Sequence, residues 1–411
     1  MTHAAAAPRT GVLRAFESFS APHFGKVYAG GFVWSVCRWA LGFLGAYVVN
    51  KQTGSPRLVQ LTGSFLWAPL LFAGLIGGAV SDRFDRRKVV LAQFAVLMPL
   101  TAAVGLLALA DRLSVWILYP FMVTIGVGWV IDMTVRRALI YDLVGDAQVN
   151  NAMALEQFAS SAGLAIGALS GGAVIGWLGV GQAYLAAAAA MGVALVVLAR
   201  LPSPPPRPRA AAGGPSFFRS VAEGFRALPA NPTLLSVLGV TLIVNFFHFS
   251  YFPIVPIVAA KVDATPFLTG LLAAATGLGM MTGALFVMMR APQRGRAYCL
   301  GSYGAFVLLL GFAGFDRYLL VFGSLYLASV FVGAYGATQS SLVITSSSEE
   351  MRGRAMGLLS MAIGGLPVGM EVLGELAELL GAGWALAISN VVGVAVLALF
   401  LRRRPEAYRV S

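Results

Sequence analysis

Twelve long apolar stretches constrain this chain more than any other feature of its sequence. A helix needs about 20 apolar residues to cross a bilayer core of roughly 30 Å. Because 58% of the 411 residues are hydrophobic and only 11% are charged, the chain is predicted to be a polytopic membrane protein. The stretches lie at about 27–50, 58–81, 88–110, 114–135, 152–176, 180–200, 232–258, 265–289, 297–315, 318–344, 354–380 and 383–401.

A proline-rich segment divides the stretches into two sets of six. It runs from Pro202 to Arg209, and proline blocks helix and removes a hydrogen-bond donor, which predicts an extended linker. Apolar residues then recur at helical spacing, as expected for a short amphipathic helix on the membrane face: Phe217, Phe218, Val221, Phe225 and Leu228.

The predicted fold is therefore an all-α membrane protein with 12 transmembrane helices in two six-helix bundles. The N-terminal bundle covers residues 1–200, the cytoplasmic linker 201–231 and the C-terminal bundle 232–411. Two parallel repeats of this kind enclose a site between them. Glycines spaced by four, such as Gly163 and Gly167, are typical of helices whose backbones pack closely.

The distribution of cations predicts the orientation in the membrane, because short cytoplasmic loops collect Lys and Arg. With the N-terminus inside, 23 of the 29 Lys and Arg residues fall on the inner side, five on the outer side, and Arg38 within a span. Arg136 and Arg137 are counted among the inner loop charges. Both termini are predicted in the cytoplasm, in a multi-pass protein of the inner (plasma) membrane. The first 25 residues have no apolar core of a signal peptide.

The connection between the second and third spans, from Gly78 to Lys88, is rich in charge. Charges are costly in hydrocarbon, so this connection lies at a membrane surface. Its pattern Gly-x-x-x-Asp-Arg-x-x-Arg-Arg resembles the cytoplasmic loop signature of major facilitator transporters, although Asp85 stands where that family usually has glycine. The resemblance implies the major facilitator fold.

The functional interpretation of this connection is a gate latch. We expect Asp82 to meet the N-terminal turn of the eleventh span, since helix N-termini attract anions. Arg86 or Arg87 is expected to pair with Asp132, which is the only acid in the fourth span. The predicted gating set is Gly78, Asp82, Arg83, Arg86, Arg87 and Asp132. Alternatively, these residues are only solvated loop charges.

Further resemblances concern the fifth and eleventh spans. The run from Gly167 to Gly172 resembles the Gly-Pro-x-x-Gly-Gly signature of facilitator antiporters, with Ala168 in place of proline. The segments 137–155 and 350–369 are similar to the enterobactin-exporter and macrolide-efflux branch. This implies a secondary active transporter that exports a drug- or siderophore-type molecule by alternating access, with proton antiport.

Ionisable residues at membrane depth are functional candidates. Arg38 lies roughly 18 Å into the first span, where it needs a cavity or a carboxylate. It is either a structural ion-pair partner, an anchor for an anionic substrate or the partner of a titrating acid. Glu156 lies early in the fifth span, facing either the cavity or the headgroups. Glu371, Glu375 and Glu378 lie on one stripe of the eleventh span, and Glu371 is the deepest of the three. Glu156 and Glu371 are predicted to couple transport to protons.

His248 in the seventh span shares a helical face with Asn245 and Tyr251. A structural histidine is one interpretation, and contact with the substrate or titration is the other. These three residues join Arg38, Glu156 and Glu371 as candidates for substrate binding or proton coupling.

Other classes of protein fit the sequence less well. No nucleotide-binding loop is present, no Cys or His residues have metal-ligand spacing, and no set of catalytic side chains is visible, so we predict neither an enzyme nor a cofactor. The expected partners are a small-molecule substrate, protons and membrane lipid, but no nucleic acid, and the chain is expected to be a monomer. The alternatives are a lysophospholipid transporter of the same fold and a membrane sensor that moves nothing.

Overall fold

The computed structural model describes residues 11–72, 84–202, 226, 228–290, 293–348 and 351–410. This part of the chain is helical and contains no strand. The helices α1 to α12 are Phe24–Thr53, Pro56–Trp67, Arg86–Leu109, Val115–Gly145, Asn151–Leu178, Val180–Ala199, Pro232–Lys261, Pro266–Arg290, Arg294–Gly314, Tyr318–Thr345, Arg354–Leu380 and Ala382–Arg403. Short helices cover Gly11–Ser20, Leu228–Ala230 and Glu406–Arg409.

Eleven of the described helices are long and apolar enough to cross a membrane. The remaining one, α2, continues as a 3₁₀ turn over Ala68–Phe72, and the rest of the span expected at 58–81 lies outside the described residues. The spans therefore agree with the sequence prediction to within a few residues, with one exception. The amphipathic helix expected after the linker begins outside the described residues.

The exception is α4, which the sequence predicts to end at 135 but which continues to Gly145. Asp132 and Arg136 are one helical turn apart and pair with each other, so both stay buried in the bundle. The segment between them, Asp132–Arg136, is a π-helical turn of α4. Gly145 ends the helix with a φ of 66°, which glycine adopts without strain. Arg136 and Arg137 therefore belong to a span and not to a loop, and the inner cation count falls from 23 to 21.

Each set of six helices packs around its own apolar core. In the N-terminal half the core includes Leu41, Met122 and Tyr184, and in the C-terminal half separate clusters form around Phe306 and Phe312. Glycines let helices approach closely, as predicted: a Cβ on Gly163 or Gly167 would collide with α1.

Helix α7 is broken where it faces the other half. A π-helical turn over Val244–His248 is followed by a 3₁₀ segment over Phe249–Ile254. Pro253 and Pro256 remove two backbone donors here, which prevents regular α-helical bonding. The Ser250 carbonyl in this segment accepts a hydrogen bond from Gln60 Nε2 at 2.9 Å. Irregular backbone at membrane depth is tolerated where it lies against protein or a cavity.

The two halves meet over α2–α11 and α5–α8. We call the end of the bundle where α1 begins and α6 finishes the linker end, and the opposite end, around Thr53, the far end. An ion pair and a hydrogen bond join α2 to α11 near the far end, Arg57–Glu375 at 2.8 Å and Ser55–Glu378 at 2.7 Å. Deeper in the bundle, Ser64 donates to the Pro367 carbonyl at 3.3 Å. On the other side, Gly172 of α5 packs against Gly270 of α8.

Candidate functional site

A cavity lies between the two halves, with about 600 Å³ of empty space including its open mouth. Helices from both halves line it: α1, α2 and α5 on one side, α7 and α8 on the other. The wall is mainly apolar and aromatic, and its polar side chains are Thr62 and Thr276. Ala168, which replaces proline in the antiporter-like run, also lines this cavity.

Aromatic rings form one wall of the cavity. The ring centroids of Trp39, Trp67 and Phe252 lie within 6.3 Å of one another. The Trp129 ring packs against both tryptophans, with its centroid 4.3 Å from that of Trp67 and 6.0 Å from that of Trp39. Phe252 comes from the broken part of α7, so this wall is built from both halves. Aromatic side chains of this kind bind apolar or aromatic molecules.

Arg38 lies behind this wall, in a smaller second pocket with about 330 Å³ of empty space including open solvent. Its guanidinium carbon is 3.9 Å from the centroid of the Trp129 ring and 4.4 Å from that of Trp39. Only 3% of the residue is exposed. The sequence predicted that Arg38 needs a cavity or a carboxylate, and it has a pocket and two aromatic faces.

Arg136 holds both carboxylates of this second pocket. Its Nε and Nη2 donate to Asp132, the latter at 3.0 Å, and Nη2 also contacts Glu156. All three side chains are buried. The π-helical turn of α4 and the start of α5 bring them together. Gly31 of α1 makes room, because a Cβ there would overlap the Arg136 guanidinium.

The predicted partners of Asp132 are wrong in this structure. Arg86 pairs with both oxygens of Asp142 at 2.7 Å, and Arg87 donates to the Ala199 carbonyl at 2.8 Å. The physical reason is that Arg136, one turn along the same helix, already occupies Asp132. Arg86 and Arg87 thus hold α3 to other helices of the N-terminal half.

The remaining gating predictions, Gly78, Asp82 and Arg83, lie outside the described residues. Asp85, which replaces the usual glycine, adopts an extended conformation with φ of −60° and caps α3 by accepting from the Lys88 N–H at 3.2 Å. A glycine is not needed at this position, and aspartate satisfies one of the free N–H groups of the helix.

The acidic stripe of α11 divides into two parts. Glu375 and Glu378 reach across to α2 at the far end, as described above. Glu371, one turn deeper, is half-buried. Its assignment to proton coupling stays a prediction.

His248 is buried inside the C-terminal half, with 1% of the residue exposed. Its ring contacts Tyr251 and Phe306. Asn245 donates to the Thr241 carbonyl at 2.9 Å, and the Tyr251 hydroxyl bonds Thr276, which lines the central cavity. These contacts fit a packed histidine better than direct substrate contact, and only Tyr251 is linked to the cavity through one side chain.

Sequence reasoning missed the role of Arg136 and the packing of Trp67 and Trp129 against Trp39. The spacing of four between Asp132 and Arg136 was the available signal for an ion pair within one helix. No sequence signal identified the partner of Asp142 or brought Trp39 to Trp129.

The comparisons with known proteins point in one direction. A family model described as the Major Facilitator Superfamily matches residues 27–366. Curated relatives described as enterobactin exporter EntS, from Shigella boydii serotype 4 and Escherichia coli O1:K1, are each 26% identical over 413 aligned residues and cover 95% of both chains.

Solved transporter structures share the fold. A bacterial homologue of the human lysosomal transporter Spinster, in an inward-facing, occupied conformation, aligns with a TM-score of 0.73 at 16% identity, over 96% of this chain and 97% of its own. A D-xylose–proton symporter aligns with a TM-score of 0.73 at 16% identity, over 97% and 100%.

Proposed function

Because the chain belongs to the Major Facilitator Superfamily, we propose that it exports a small organic molecule across the bacterial inner membrane by alternating access. The direction of transport is carried over from the exporter relatives that align over 95% of the chain. The observation that carries the proposal is the cavity between the two halves, with the buried charges of Arg38, Asp132, Arg136 and Glu156 immediately behind its wall.

The conformation fits one half of a transport cycle. The α2–α11 contacts join the halves at the far end, and the cation distribution supports a cytoplasmic linker end and cytoplasmic termini. We therefore assign this structure to a state that is closed towards the outside. The proposed movement is rocking of residues 1–200 against 232–411 around the cavity, with 201–231 as the connecting linker.

Proton antiport is the proposed energy source, and Glu156 and Glu371 are the proposed proton carriers. Glu156 is buried within the N-terminal half, and Glu371 lies where the halves meet. Glu375 and Glu378 extend from Glu371 towards the far end on the same stripe and offer a route for protons from outside.

The test uses inverted membrane vesicles with an imposed pH gradient. A panel of a cationic dye, a catecholate siderophore, a macrolide and a lysophospholipid is screened for gradient-driven uptake by the wild type. We expect uptake of one class, and loss of its dependence on the pH gradient in Glu371→Gln or Glu156→Gln. If both variants at wild-type expression respond to the gradient as the wild type does, the coupling assignment is wrong.

Two other functions remain as outcomes of this screen. Uptake of the lysophospholipid alone would make the chain a lipid transporter of the same fold. A non-transporting sensor needs no chamber, and the cavity between the halves argues against that function. No flux of any compound in vesicles, across an expanded panel, would return the sensor to consideration and contradict the export proposal.

A further inference from the structure

We propose that the pocket beside Arg38 binds an oxyanion of the transported molecule, such as a carboxylate or a phenolate carried on an aromatic body. That the bound molecule is the cargo rests on the proposed function. The anion site itself depends only on the geometry and charge of α1, α4 and α5, so binding and transport can be tested separately.

The pocket presents buried N–H donors that have no acceptor. Among the described residues that line this pocket, three buried donors have no hydrogen-bond partner, Arg38 Nη1, Arg136 Nη1 and Trp34 Nε1, against one buried acceptor without a partner, Glu156 Oε1. At most 4% of each donor residue is exposed. A buried donor without an acceptor is costly, and an oxyanion can accept from several donors at once.

The charges of the same pocket leave a surplus of one positive charge. Its cations are Arg38, Arg136 and Arg137, and its anions are Asp132 and Glu156. Arg136 is in contact with both carboxylates, while Arg38 makes no ion pair within 4.0 Å with the described residues. Charge at membrane depth requires compensation, and a monoanion at Arg38 would bring the pocket to neutrality.

The tryptophans restrict how Arg38 can be approached. The rings of Trp39 and Trp129 lie against two sides of the Arg38 guanidinium, 4.4 and 3.9 Å from its central carbon, so the edge that carries the unpartnered Nη1 is the part left for a ligand. That edge matches the two oxygens of a carboxylate. The Trp39 ring also lines the central cavity, so an aromatic body attached to the oxyanion has an apolar wall to pack against.

An anionic cargo also constrains where the exchanged proton binds. A proton on Glu156 would raise the surplus of the pocket from one positive charge to two and strengthen anion binding. An exchanger needs the cargo and the proton to exclude each other. Of the two proposed proton carriers, an anionic cargo therefore favours Glu371, in the other half and outside this pocket, and leaves Glu156 to hold Arg136.

The experiment measures binding to the purified full-length protein by equilibrium dialysis. The probes share one ring system and differ in charge: 1-naphthoate, 1-naphthamide and 1-naphthylmethylammonium. We expect 1-naphthoate to bind about tenfold more tightly than 1-naphthamide, and the cation to bind most weakly. Arg38→Gln should abolish the preference, and Arg38→Lys should keep part of it because it keeps the charge without the planar fork.

Two further variants separate a local effect from unfolding. Trp34→Phe keeps an aromatic ring but removes one donor, and it should reduce the preference for 1-naphthoate only in part. Lys51→Gln removes a cation at an exposed position of the far end and should leave the preference unchanged. Every variant is first checked for monodispersity by size-exclusion chromatography.

The contrary results are equally definite. Equal affinity for the three probes, an anion preference that survives Arg38→Gln, or no binding of 1-naphthoate at millimolar concentration would each overturn the proposal. Tighter binding of octyl phosphate than of 1-naphthoate would overturn the aromatic part and point to a lipid headgroup. Anion-selective binding without vesicle transport would contradict the proposed export and leave the anion site standing.

Discussion

At the scale of single residues, Arg136 determines how charge is tolerated inside the N-terminal half. It lies between Asp132 and Glu156 and binds both, although all three side chains are buried. Two carboxylates in one buried pocket would repel each other without a cation between them. Ion pairs of this kind add little net stability, but removal of one partner leaves an uncompensated charge.

Arg136→Met is therefore expected to destabilise the protein severely. The substitution keeps an apolar chain of similar length but leaves Asp132 and Glu156 unpaired, at a cost on the order of 3–5 kcal/mol. The readout is the thermal unfolding midpoint of the detergent-solubilised protein. Arg112→Met, at an exposed position after α3, is the matched control and should change the midpoint little.

A second variant shows whether charge or packing is responsible. Combining Arg136→Met with Asp132→Asn and Glu156→Gln removes all three charges. The thermal unfolding midpoint of this triple variant should be higher than that of Arg136→Met but lower than that of the wild type. If Arg136→Met is as stable as the wild type, or if the triple variant is no better than the single one, the account of the triad is contradicted.

At the scale of helices, the sequence predicted the apolar spans well but not the behaviour of buried charge. Apolar length alone defines ten of the eleven described spans to within a few residues, and α4 is the exception. The end of α4 was misplaced because Arg136 and Arg137 were counted as loop charges, whereas Arg136 pairs with Asp132 within the helix and stays buried. The break in α7 was also missed. Pro253 and Pro256 are visible in the sequence, but the sequence does not show that the Gln60 side chain donates to the Ser250 carbonyl in this segment.

Helices α2 and α11 form the contact that holds the far end closed. Arg57 pairs with Glu375, and Glu378 accepts hydrogen bonds from Ser55 Oγ and the Arg57 N–H, at the N-terminus of α2. A carboxylate at a helix N-terminus is favourable. Arg57 and Glu375 are each more than half exposed, so their ion pair contributes about 1 kcal/mol at most.

Reversing one charge of this pair should open the far end. In a background with Cys37→Ala, Cys299→Ala and Thr62→Cys, labelling of the cavity cysteine by a membrane-impermeant thiol reagent added outside intact cells reports this opening. Arg57→Glu is expected to increase labelling about fivefold, because 1 kcal/mol changes a two-state ratio by about that factor. Adding Glu375→Arg should restore the original rate.

Two results would be inconsistent with the latch. One is an unchanged labelling rate in Arg57→Glu, and the other is a double reversal that labels as fast as the single variant. Expression and total thiol content are measured in denaturant for each variant, so that a difference in amount is not mistaken for a difference in accessibility.

At the scale of the whole molecule, the fold was predictable from sequence and the site only in part. The span count, the division by the proline-rich segment and the loop signature all indicated the fold that the family match establishes. Arg38 and Glu156 were identified from the rule that buried charge is functional, and they line one pocket. Their link through Arg136 and the tryptophan wall depends on contacts between distant segments, which a single sequence does not reveal.

The central claim is that the two halves must separate at the far end for a molecule to cross. Gln60→Cys and Gly374→Cys place a thiol on each half, because a Cβ on Gly374 would lie 3.0 Å from that of Gln60, near the roughly 3.5–4.5 Å typical of disulfides. The measurement is the transport rate of this double variant in vesicles, in the Cys37→Ala and Cys299→Ala background, before and after oxidation. Transport should stop when the disulfide forms and return with a reductant. Oxidation should not change the transport rate of either single-cysteine variant. If the oxidised protein, with its disulfide verified, transports as fast as the protein before oxidation, alternating access in this protein is contradicted.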